Sequence, residues 1–277
     1  MKWTKDENEV LLNNYHLGAE YISTILKNRN RLSIQHKMSR MGLKVSKETK
    51  SLICKKNSGK RNFDDYQYKV DDFTKDINEY KSYILGLIWT DGYLLKSRKT
   101  VSITMVKEDL EEIDWIFNKI GLWYKSDRKR VGKKESRTMS AYNPNLLDSL
   151  IDIGFDKKSF ISPEKLFEII PNNYIKYLIR GIIDGDGCFY TNKKNYTYQL
   201  SISSTYDQDW SFYIDFFNKM GLDFKVQKRV HKKSKSSIIR LCKRESVVEL
   251  CKWLYDDYEN DKIGLYRKYS KSLSFIK

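Results

Sequence analysis

The sequence is poor in the residues that organise secreted and zinc-binding domains. It has three prolines in 277 residues, and its four cysteines include no C-x-x-C pair. Scattered cysteines predict neither a zinc site nor a disulfide framework, and they favour free thiols in a reducing compartment. These cysteines are Cys54, Cys188, Cys242 and Cys251. No apolar run is long enough to cross a bilayer, and the first ten residues lack the apolar core of a secretion signal, so we expect a cytoplasmic protein without a membrane partner.

Histidine and phosphate-binding glycine loops are also scarce, which excludes two further classes of site. The three histidines, His16, His36 and His231, are isolated, so a histidine-based metal nuclease site is not expected. No Walker-type glycine loop occurs, which argues against an ATP-driven helicase.

Positive charge, in contrast, is in large excess. Lys and Arg total 52 against 36 Asp and Glu, a formal net charge of +16. Hydrophobic residues make up 40% of the chain and aromatic residues 14%, which is enough to build a substantial core. A folded chain with so basic a surface predicts a polyanionic partner, with nucleic acid as the first candidate.

The first 45 residues predict a small domain of three short helices. Thr4 and Glu7 have the spacing of a capping box, and a break at Gly18 precedes the second apolar segment. In the third segment Ser33 is the expected cap and Gly42 the expected stop. A short helix, a turn and a basic helix suit major-groove recognition, although any trihelical bundle with a solvated basic face has the same pattern. The candidate DNA contacts are Arg29, Arg31, Gln35, Lys37 and Arg40.

Residues 46–78 are predicted to be a basic linker. Positions 44–61 hold seven basic residues and one acidic residue. Such a segment can follow a phosphate backbone or act as a solvated tether, and both interpretations stay open.

The rest of the chain is a tandem duplication. The segment Ile84–Gly92 (ILGLIWTDG) recurs as Ile179–Gly187 (IRGIIDGDG), 95 residues later. The segment FNKIGL at 117–122 recurs as FNKMGL at 217–222, 100 residues later. Two matches in the same order at nearly equal offsets predict two related halves, and the period is too long for a solenoid.

Each half shows the same order of hydrophobic patterns. A buried helix ends at Asp-Gly, and two strands, an amphipathic helix, two more strands and a closing helix follow. We therefore predict an α+β protein in which an αββαββα unit occurs twice, over residues 79–155 and 156–277, after the small three-helix domain. The second range includes the connection between the halves.

The two buried helices each end in a carboxylate. Each helix also has two small residues four apart on one face, namely Gly86 and Thr90, or Gly181 and Gly185. Helices packed along these faces would bring Asp91 and Asp186 together at two negative helix ends. Adjacent carboxylates repel each other, and a divalent cation such as Mg²⁺ removes that cost, so the pair predicts metal-dependent phosphodiester hydrolysis. Either Asp-Gly taken alone would be read as a turn.

The two segments resemble the paired motifs of monomeric LAGLIDADG homing endonucleases. Ile179–Gly187 is a close match, whereas in Ile84–Gly92 the residues Trp89 and Thr90 replace the first motif Asp and the small residue after it. The resemblance covers about residues 79–270 and includes the segments around Lys158 and Lys268.

This resemblance implies a site-specific, metal-dependent endonuclease of double-stranded DNA that acts as a monomer on a long asymmetric site. It also implies two β-sheets that form a saddle along the DNA. Asp91 and Asp186 would bind Mg²⁺, for which Mn²⁺ would substitute. The module that begins Trp3-Thr4-x-x-Glu7 resembles Myb-like and other helix-turn-helix domains, which implies a further DNA contact.

A basic hairpin follows the FNKxGL segment in each half. Residues 125–137 hold seven basic side chains and residues 225–244 hold nine. Recurrence at the same place favours DNA contact over a merely solvated hairpin. The candidates in the first half are Lys125, Arg128, Lys129, Arg130 and Arg137. The candidates in the second half are Lys228, Arg229, Lys232, Lys233 and Arg240.

The resemblance also implies a basic residue near the end of the last strand of each half, close to the scissile phosphate. That position holds Lys243 in the second half and Asn143 in the first, and a preceding polar position falls near Thr205 and Met105. We therefore expect Lys243 to be catalytic and the two active sites to be unequal.

Two other functions fit the same fold. A DNA-binding regulator could keep the fold without cleaving, although the retention of Asp91 and Asp186 favours the nuclease. An RNA-splicing maturase would share the basic surface, and composition does not separate it from the nuclease.

Overall fold

The computed structural model of the chain describes residues 3–58, 69–192, 197–231 and 234–276, with the backbone alone for 53–58. It divides into two compact units, Met1–Tyr66 and Gln67–Lys277. Within the described ranges, every helix is too short or too polar to span a bilayer.

The first unit is helical in its described part. Its helices are α1 Lys5–Asn14, α2 Ala19–Ile25, α3 Arg31–Arg40 and α4 Lys47–Ser58. Leu11, Ile22 and Ile34, one from each of the first three helices, are fully buried against one another. The three predicted helices therefore form a core, and α4 lies in the segment that the sequence predicted to be a linker.

Side-chain caps fix the starts of two of these helices. The capping box of α1 forms as predicted, because the backbone N–H of Glu7 donates to Oγ1 of Thr4 at 3.2 Å and that of Thr4 donates to Oε2 of Glu7 at 2.8 Å. At α3 the cap is Asn30, whose Oδ1 accepts the N–H of Ser33 at 2.8 Å, so the prediction of Ser33 as the cap is wrong. Asn and Ser cap about equally well, and the earlier residue begins the helix.

The second unit repeats one order of elements. The first half contains α5 Glu79–Asp91, β1 Gly92–Leu95, β2 Thr100–Val106, α6 Lys107–Glu112, α7 Asp114–Asn118, β3 Tyr124–Arg128, β4 Ser136–Tyr142 and α8 Pro144–Ile153. After α9 Glu164–Ile169, the second half contains α10 Ile175–Asp186, β5 Gly187–Asn192, β6 Thr197–Thr205, α11 Ser211–Lys219, β7 Lys225–His231, β8 Ser234–Leu241 and α12 Arg244–Tyr255. The helices α13 Tyr258–Asp261 and α14 Tyr266–Ile276 follow. The predicted αββαββα duplication is confirmed, with α6 and α7 together standing where α11 stands in the second half.

Each half builds one antiparallel four-stranded sheet of the same order. The orders are β1-β2-β4-β3 and β5-β6-β8-β7. The glycine after each Asp opposes an isoleucine, Gly92 with Ile103 and Gly187 with Ile202. One face of each sheet contributes these isoleucines to the hydrophobic core under the helices. The alternate residues form the other face, which we call the open face and which is mainly polar.

Helices α5 and α10 pack side by side through their glycines. A Cβ placed on Gly86 would lie 3.1 Å from Cα of Gly181 and would overlap the carbonyl oxygen of Leu178. A Cβ placed on Gly181 would overlap the carbonyl oxygen of Tyr83. The small faces predicted for these helices are therefore their contact faces, and the interior there has no room for another methyl group.

Candidate active site

Asp91 and Asp186 are the last residues of α5 and α10, and the packing of the two helices places them side by side. Gly185, the residue before Asp186, permits this close approach, because a Cβ placed on it would be 2.9 Å from Oδ2 of Asp91 and 2.8 Å from Cβ of Thr90. Both carboxylates are half-buried. The glycine face thus brings two acidic side chains together at two negative helix ends.

The protonation of these aspartates reflects that crowding. Burial and, after it, the negative charge of Asp186 raise the pKa of Asp91 from 3.8 to about 6. Burial also raises the pKa of Asp186, while the ammonium groups of Lys158 and Lys268 lower it. Both carboxylates are therefore costly to ionise where they stand, and a cation beside them would stabilise the charged pair.

The carboxylate pair fits a hard divalent cation. Its oxygens are the ligand type that Mg²⁺ prefers, and Mg²⁺ is commonly held by one or two carboxylates together with water and substrate phosphate. In the part of the chain that the structure describes, no cluster of three or more His, Cys, Asp or Glu side chains could hold a metal. The pair therefore suits a cation whose remaining ligands come from water and phosphate, and it does not suit a closed structural metal site.

Lys158 closes the end of α5. It follows the turn Phe155–Lys157, and its Nζ donates to the carbonyl oxygens of Ile88 and Thr90 at 2.8 Å each and of Gly92 at 2.6 Å. Burial lowers the pKa of Lys158 to about 8, while Asp91 and Asp186 oppose that shift. The ammonium group thus donates to carbonyls at the C-terminal end of α5, where the carbonyl of Ile88 also accepts the N–H of Gly92, and it lies near the two carboxylates.

Lys268 does the same for α10. Its Nζ donates to the carbonyl oxygen of Ile183 at 2.9 Å and to that of Gly187. Burial lowers the pKa of Lys268, and the charge of Asp184 opposes the shift. The two halves therefore cap their central helices with equivalent lysines.

The sequence contains a further repeat that marks this pair of lysines. The segments IGFDKK at 153–158 and IGLYRK at 263–268 match at an offset of 110 residues. The glycines of the two segments, Gly154 and Gly264, both have positive φ, +103° and +131°. A left-handed glycine followed by a lysine four residues later is thus a third repeat of the duplication.

The structure does not bring Lys243 to the carboxylates. Ile239 opposes Ile202, which opposes Gly187, so this row lies at the Asp186 end of the sheet. Lys243 lies four residues beyond Ile239, about 13 Å along the strand direction. It is exposed at the start of α12, and Asn143 caps α8 at the equivalent place in the first half.

The polar positions expected at the ends of the second strands have different surroundings in the two halves. The hydroxyl of Thr205 donates to the carbonyl oxygen of Ser159, next to Lys158, whereas Met105 is buried on the core face. A small pocket opens beside Asp186. Its lining includes Lys158, Ser203, Ser204, Gln208, Trp210 and Tyr213.

Part of the predicted DNA-contact set lies on the open faces. Arg128 opposes Ser136, Arg229 opposes Ser236, and Arg240 opposes Lys225. These positions alternate with the core positions, so the side chains of the three arginines belong to the polar side of each sheet. Lys129 and Arg130 are exposed in the turn after β3, and Lys232 and Lys233 lie outside the described residues.

Three predicted contacts belong to the helix side instead. Lys125 opposes the fully buried Met139, and Lys228 opposes the fully buried Ser237. Arg137 opposes Asp127, to which it donates two hydrogen bonds of 2.7 and 2.9 Å. Composition placed these basic residues on the hairpins, whereas the strand register shows on which face of the sheet each side chain lies.

In the first unit, Arg29 is part of the core rather than of the surface. Its guanidinium donates to both carboxylate oxygens of Glu7, at 2.7 and 2.8 Å, and lies 4.7 Å from the ring centroid of Trp3. Lys37 is half-buried, with its Nζ 5.7 Å from the same ring. The other candidates on α3 are exposed, namely Arg31, Gln35 and Arg40.

Among known proteins, the comparisons find similarity to solved structures. No protein-family model and no curated protein matches the sequence. The chain is similar to mesophilic variants of the homing endonuclease I-DmoI, at 15% identity over 67% of this chain and 98% of that one, with a TM-score of 0.43. It is similar to the LAGLIDADG homing endonuclease I-GzeII in complex with its DNA target, at 17% identity over 72% and 89% of the two chains, with a TM-score of 0.43. It is also similar to I-SmaMI bound to cleaved DNA, at 14% identity over 72% and 88%, with a TM-score of 0.43.

Proposed function

We propose that this chain is a site-specific endonuclease that hydrolyses double-stranded DNA with a divalent metal. The observation that carries the proposal is the pairing of Asp91 and Asp186 at the ends of two duplicated helices, in a chain of net charge +16. Asp91 and Asp186 would hold Mg²⁺ or Mn²⁺. Such a cation supplies charge neutralisation at a phosphate and a more acidic bound water.

The residues around the pair fix its position and its charge. Lys158 and Lys268 use their hydrogen bonds on helix carbonyls, so they act as positioning residues that hold the two helix ends. Their ammonium groups also favour the ionised form of Asp186. The two ammonium groups thereby offset part of the cost of ionising the adjacent carboxylates.

The partner that we propose is duplex DNA along the open faces of the two sheets. Arg128, Arg229 and Arg240 lie on these faces and supply the charge for phosphate contact. Because the two halves differ at most positions, a long site read by them would be asymmetric. Both carboxylates come from one chain, which supports a monomeric enzyme, and the free thiols of Cys188, Cys242 and Cys251 support a cytoplasmic location.

The first unit would add a second DNA contact through α3. Arg31, Gln35 and Arg40 are exposed on this helix, as a helix that reads a groove requires. The double substitution Arg31→Ala/Gln35→Ala in the full chain should weaken target binding by about 1–3 kcal/mol for each lost base contact. Unchanged affinity and footprint would exclude this role.

The test of the main proposal is cleavage of a randomised duplex library with Mg²⁺, followed by sequencing of the cut ends. Asp91→Asn and Asp186→Asn should each reduce cleavage by about 1000-fold or more, because several kcal/mol of charge stabilisation are lost. Both variants should still bind the target in Ca²⁺, since the phosphate contacts lie elsewhere. Wild-type cleavage rates in Asp186→Asn would contradict the assignment. Binding without cleavage by the wild-type chain would favour the regulator, and a preference for intron RNA would favour the maturase.

A further inference from the structure

One row of side chains crosses the open face of each sheet at the same place, one residue beyond the row that contains Gly92 or Gly187. The row of the second half begins at Cys188, two residues after Asp186, and ends on the edge strand β7. Its members are Cys188, Ser201, Arg240 and Lys225. The members of the equivalent row in the first half are Tyr93, Ser102, Ser140 and Tyr124. The outer end of the row therefore carries two cations in the second half and no charge in the first.

In the first half, the chain itself covers the outer end of the row. Residues 69–71 pair with the chain just before β3, where Val70 forms an antiparallel bridge with Gly121. A Cβ placed on Gly121 would lie only 2.5 Å from Cα of Val70. Nδ2 of Asn143 donates to the carbonyl oxygen of Val70 at 2.8 Å, and its Oδ1 accepts the N–H of Leu146 at 3.0 Å. Backbone and amide groups thus fill this corner of the first half.

The equivalent corner of the second half is an open cavity of about 450 Å³, which we call the corner cavity. It lies where β7 and α12 begin and where β8 ends. A Cβ placed on Gly221, the equivalent of Gly121, would meet no described atom within 4 Å. The lining includes Gly221, Asp223, Lys225, Arg240, Lys243 and Ser246. Within the described chain, no segment covers this corner in the way that residues 69–71 cover the corner of the first half.

Three cations and one anion line the corner cavity. Nζ of Lys225 lies 2.6 Å from Oδ1 of Asp223, but both side chains are about 70% exposed, so this ion pair is weak. Across the described residues, Arg240 and Lys243 have no ion-pair partner. Lys243 stands where Asn143 caps α8, and a lysine side chain has donors only, so it cannot accept the N–H groups of a helix start. The cavity therefore holds an excess of positive charge.

A buried hydroxyl group lines the same cavity. Ser246 is only 8% exposed, and its hydroxyl makes no hydrogen bond to another described residue. Leu146, at the same distance from Asn143 as Ser246 from Lys243, is fully buried and needs no polar partner. A buried hydroxyl costs free energy unless it is hydrogen-bonded, so Ser246 indicates a polar occupant of the cavity.

These donors fit an anion with several acceptor oxygens. Guanidinium, ammonium and hydroxyl groups can all donate to phosphate oxygens, and the hydrogen bonds from the two charged groups are the stronger ones. Arg240 and Lys225 reach the cavity from the open face, at the end of a row that starts next to Asp186 and crosses three strand spacings, about 14 Å. A phosphate in the cavity would therefore belong to a duplex that lies on the open face and reaches the carboxylates.

We propose that the corner cavity binds one phosphate of the DNA backbone through Arg240, Lys243 and Ser246, and that the first half has no such site. This inference rests on the proposed function for its choice of duplex DNA. It gives Lys243 a role in holding the duplex, away from the carboxylates, in place of the catalytic role that the resemblance implies.

The experiment measures the affinity of the full chain for a labelled duplex of random sequence in Ca²⁺, over a series of KCl concentrations. Arg240→Ala/Lys243→Ala should lower the affinity and make the slope of log Kobs against log[KCl] shallower by about 1, the effect of one lost phosphate contact. The matched control is Lys219→Ala/Lys252→Ala, which removes two exposed lysines from helices α11 and α12 of the same half. This control should leave the slope nearly unchanged.

Two further variants separate charge from shape. Arg240→Lys/Lys243→Arg keeps both charges and should keep the slope of the wild-type chain. Ser246→Ala removes a neutral donor, so it should lower the affinity by about 3- to 10-fold without a change of slope. Thermal melts establish that each variant is folded.

The outcomes distinguish this inference from the proposed function. Equal slopes for Arg240→Ala/Lys243→Ala and its control would overturn the inference even if the chain cleaves DNA. A wild-type chain that binds duplex DNA with the expected slopes but never cuts it would overturn the endonuclease and leave the phosphate site standing. If inorganic phosphate raised the melting temperature of the wild-type chain alone while the DNA slopes of the variants were unchanged, the choice of DNA would be overturned.

Discussion

The two central helices share one face and differ on the other. Along the shared face, each helix has a glycine at the contact and an aspartate at its end. Behind that face, α10 carries Arg180 and Asp184 at the positions where α5, 95 residues earlier, carries Leu85 and Trp89. All four of these side chains are buried.

The buried charges of α10 are satisfied by residues that the first half does not have. The guanidinium of Arg180 donates to the carbonyl oxygens of Leu254 at 2.8 Å and Ile263 at 2.6 Å and to Asp257 at 2.7 Å. The carboxylate of Asp184 accepts the backbone N–H of Leu265 at 2.8 Å. The last turn of α12 and the chain that follows it, residues 254–265, thus supply these partners, and buried charge is tolerated there because the charged groups are hydrogen-bonded.

The hydroxyl of Tyr83 completes this set from the other helix. It donates to Oδ2 of Asp184 at 2.8 Å, across the contact of α5 and α10. In α5 the equivalent Trp89 instead packs edge-on against Phe155, with ring centroids 5.0 Å apart. The two helices therefore share the residues that position the carboxylates. The buried layer behind them is ionic in the second half and apolar in the first.

The strongest test of the shared face is a methyl group at either glycine. Gly86→Ala and Gly181→Ala should each destabilise the chain by about 3 kcal/mol, because the added Cβ would overlap a backbone carbonyl that cannot move aside. Each should also abolish cleavage, since the carboxylates would separate. Urea unfolding and target cleavage measure the two effects. Thr90→Ala, which removes atoms from the same face, is the control. If Gly86→Ala left stability and cleavage unchanged while Gly181→Ala reduced both, the two helices would not be equivalent.

The divergent layer is tested by exchanging its residues between the halves. Arg180→Leu places the first-half residue in α10 and should cost about 3 kcal/mol, because it leaves buried carbonyls and carboxylates without their partner. Leu85→Arg should cost at least as much, because α5 has no segment to receive the guanidinium. Unfolding midpoints in urea measure both effects. A neutral Arg180→Leu would show that the ionic layer is not needed in the second half.

Replacing either lysine that caps a central helix should reduce stability by a smaller amount, which should be similar in the two halves. Lys158→Met removes three hydrogen bonds from an ammonium group to carbonyl oxygens and Lys268→Met removes two, and we expect a loss of about 1–3 kcal/mol in each case. The exposed neighbour Lys157→Met is the control. Strand-resolved cleavage of an end-labelled target should show that both variants are slower. If Lys243→Met slows cleavage and these variants do not, the lysine expected from the resemblance is the functional one.

The smallest expected effect is on the pH dependence of stability, and it arises from an ion-pair group in the first half. Hydrogen bonds from Arg137 and Lys107 hold the pKa of Asp127 well below its ordinary value of 3.8. A lowered carboxyl pKa contributes stability that is present above that ordinary value and is lost as the pH falls below it. Urea midpoints of the wild-type chain should therefore fall between about pH 5 and about pH 3 more steeply than those of Asp127→Asn. Parallel curves would show that this ion-pair group does not stabilise the first half.

Much of the fold and the central part of the site were predictable from local patterns. The repeated ILGLIWTDG and IRGIIDGDG segments specify two helices with small faces and terminal carboxylates, and Thr4 and Glu7 specify a capping box. Arg29 could not be placed in this way, because the Glu7 that binds it is 22 residues distant. Lys125 and Arg137 were assigned to the DNA side by charge, yet a strand alternates faces at each residue, and only the register shows which face is covered.

The sequence by itself determined the duplication, the order of helices and strands, and the identity of the two carboxylates, because these depend on periodicity and on residues close together in the chain. The tertiary structure decided which cations stand beside the carboxylates and which basic residues reach the open faces. Lys158 meets the carbonyl of Ile88 across 70 positions of the chain, and Lys268 meets that of Ile183 across 85. Such contacts form only when the helices have packed, so no local pattern encodes them.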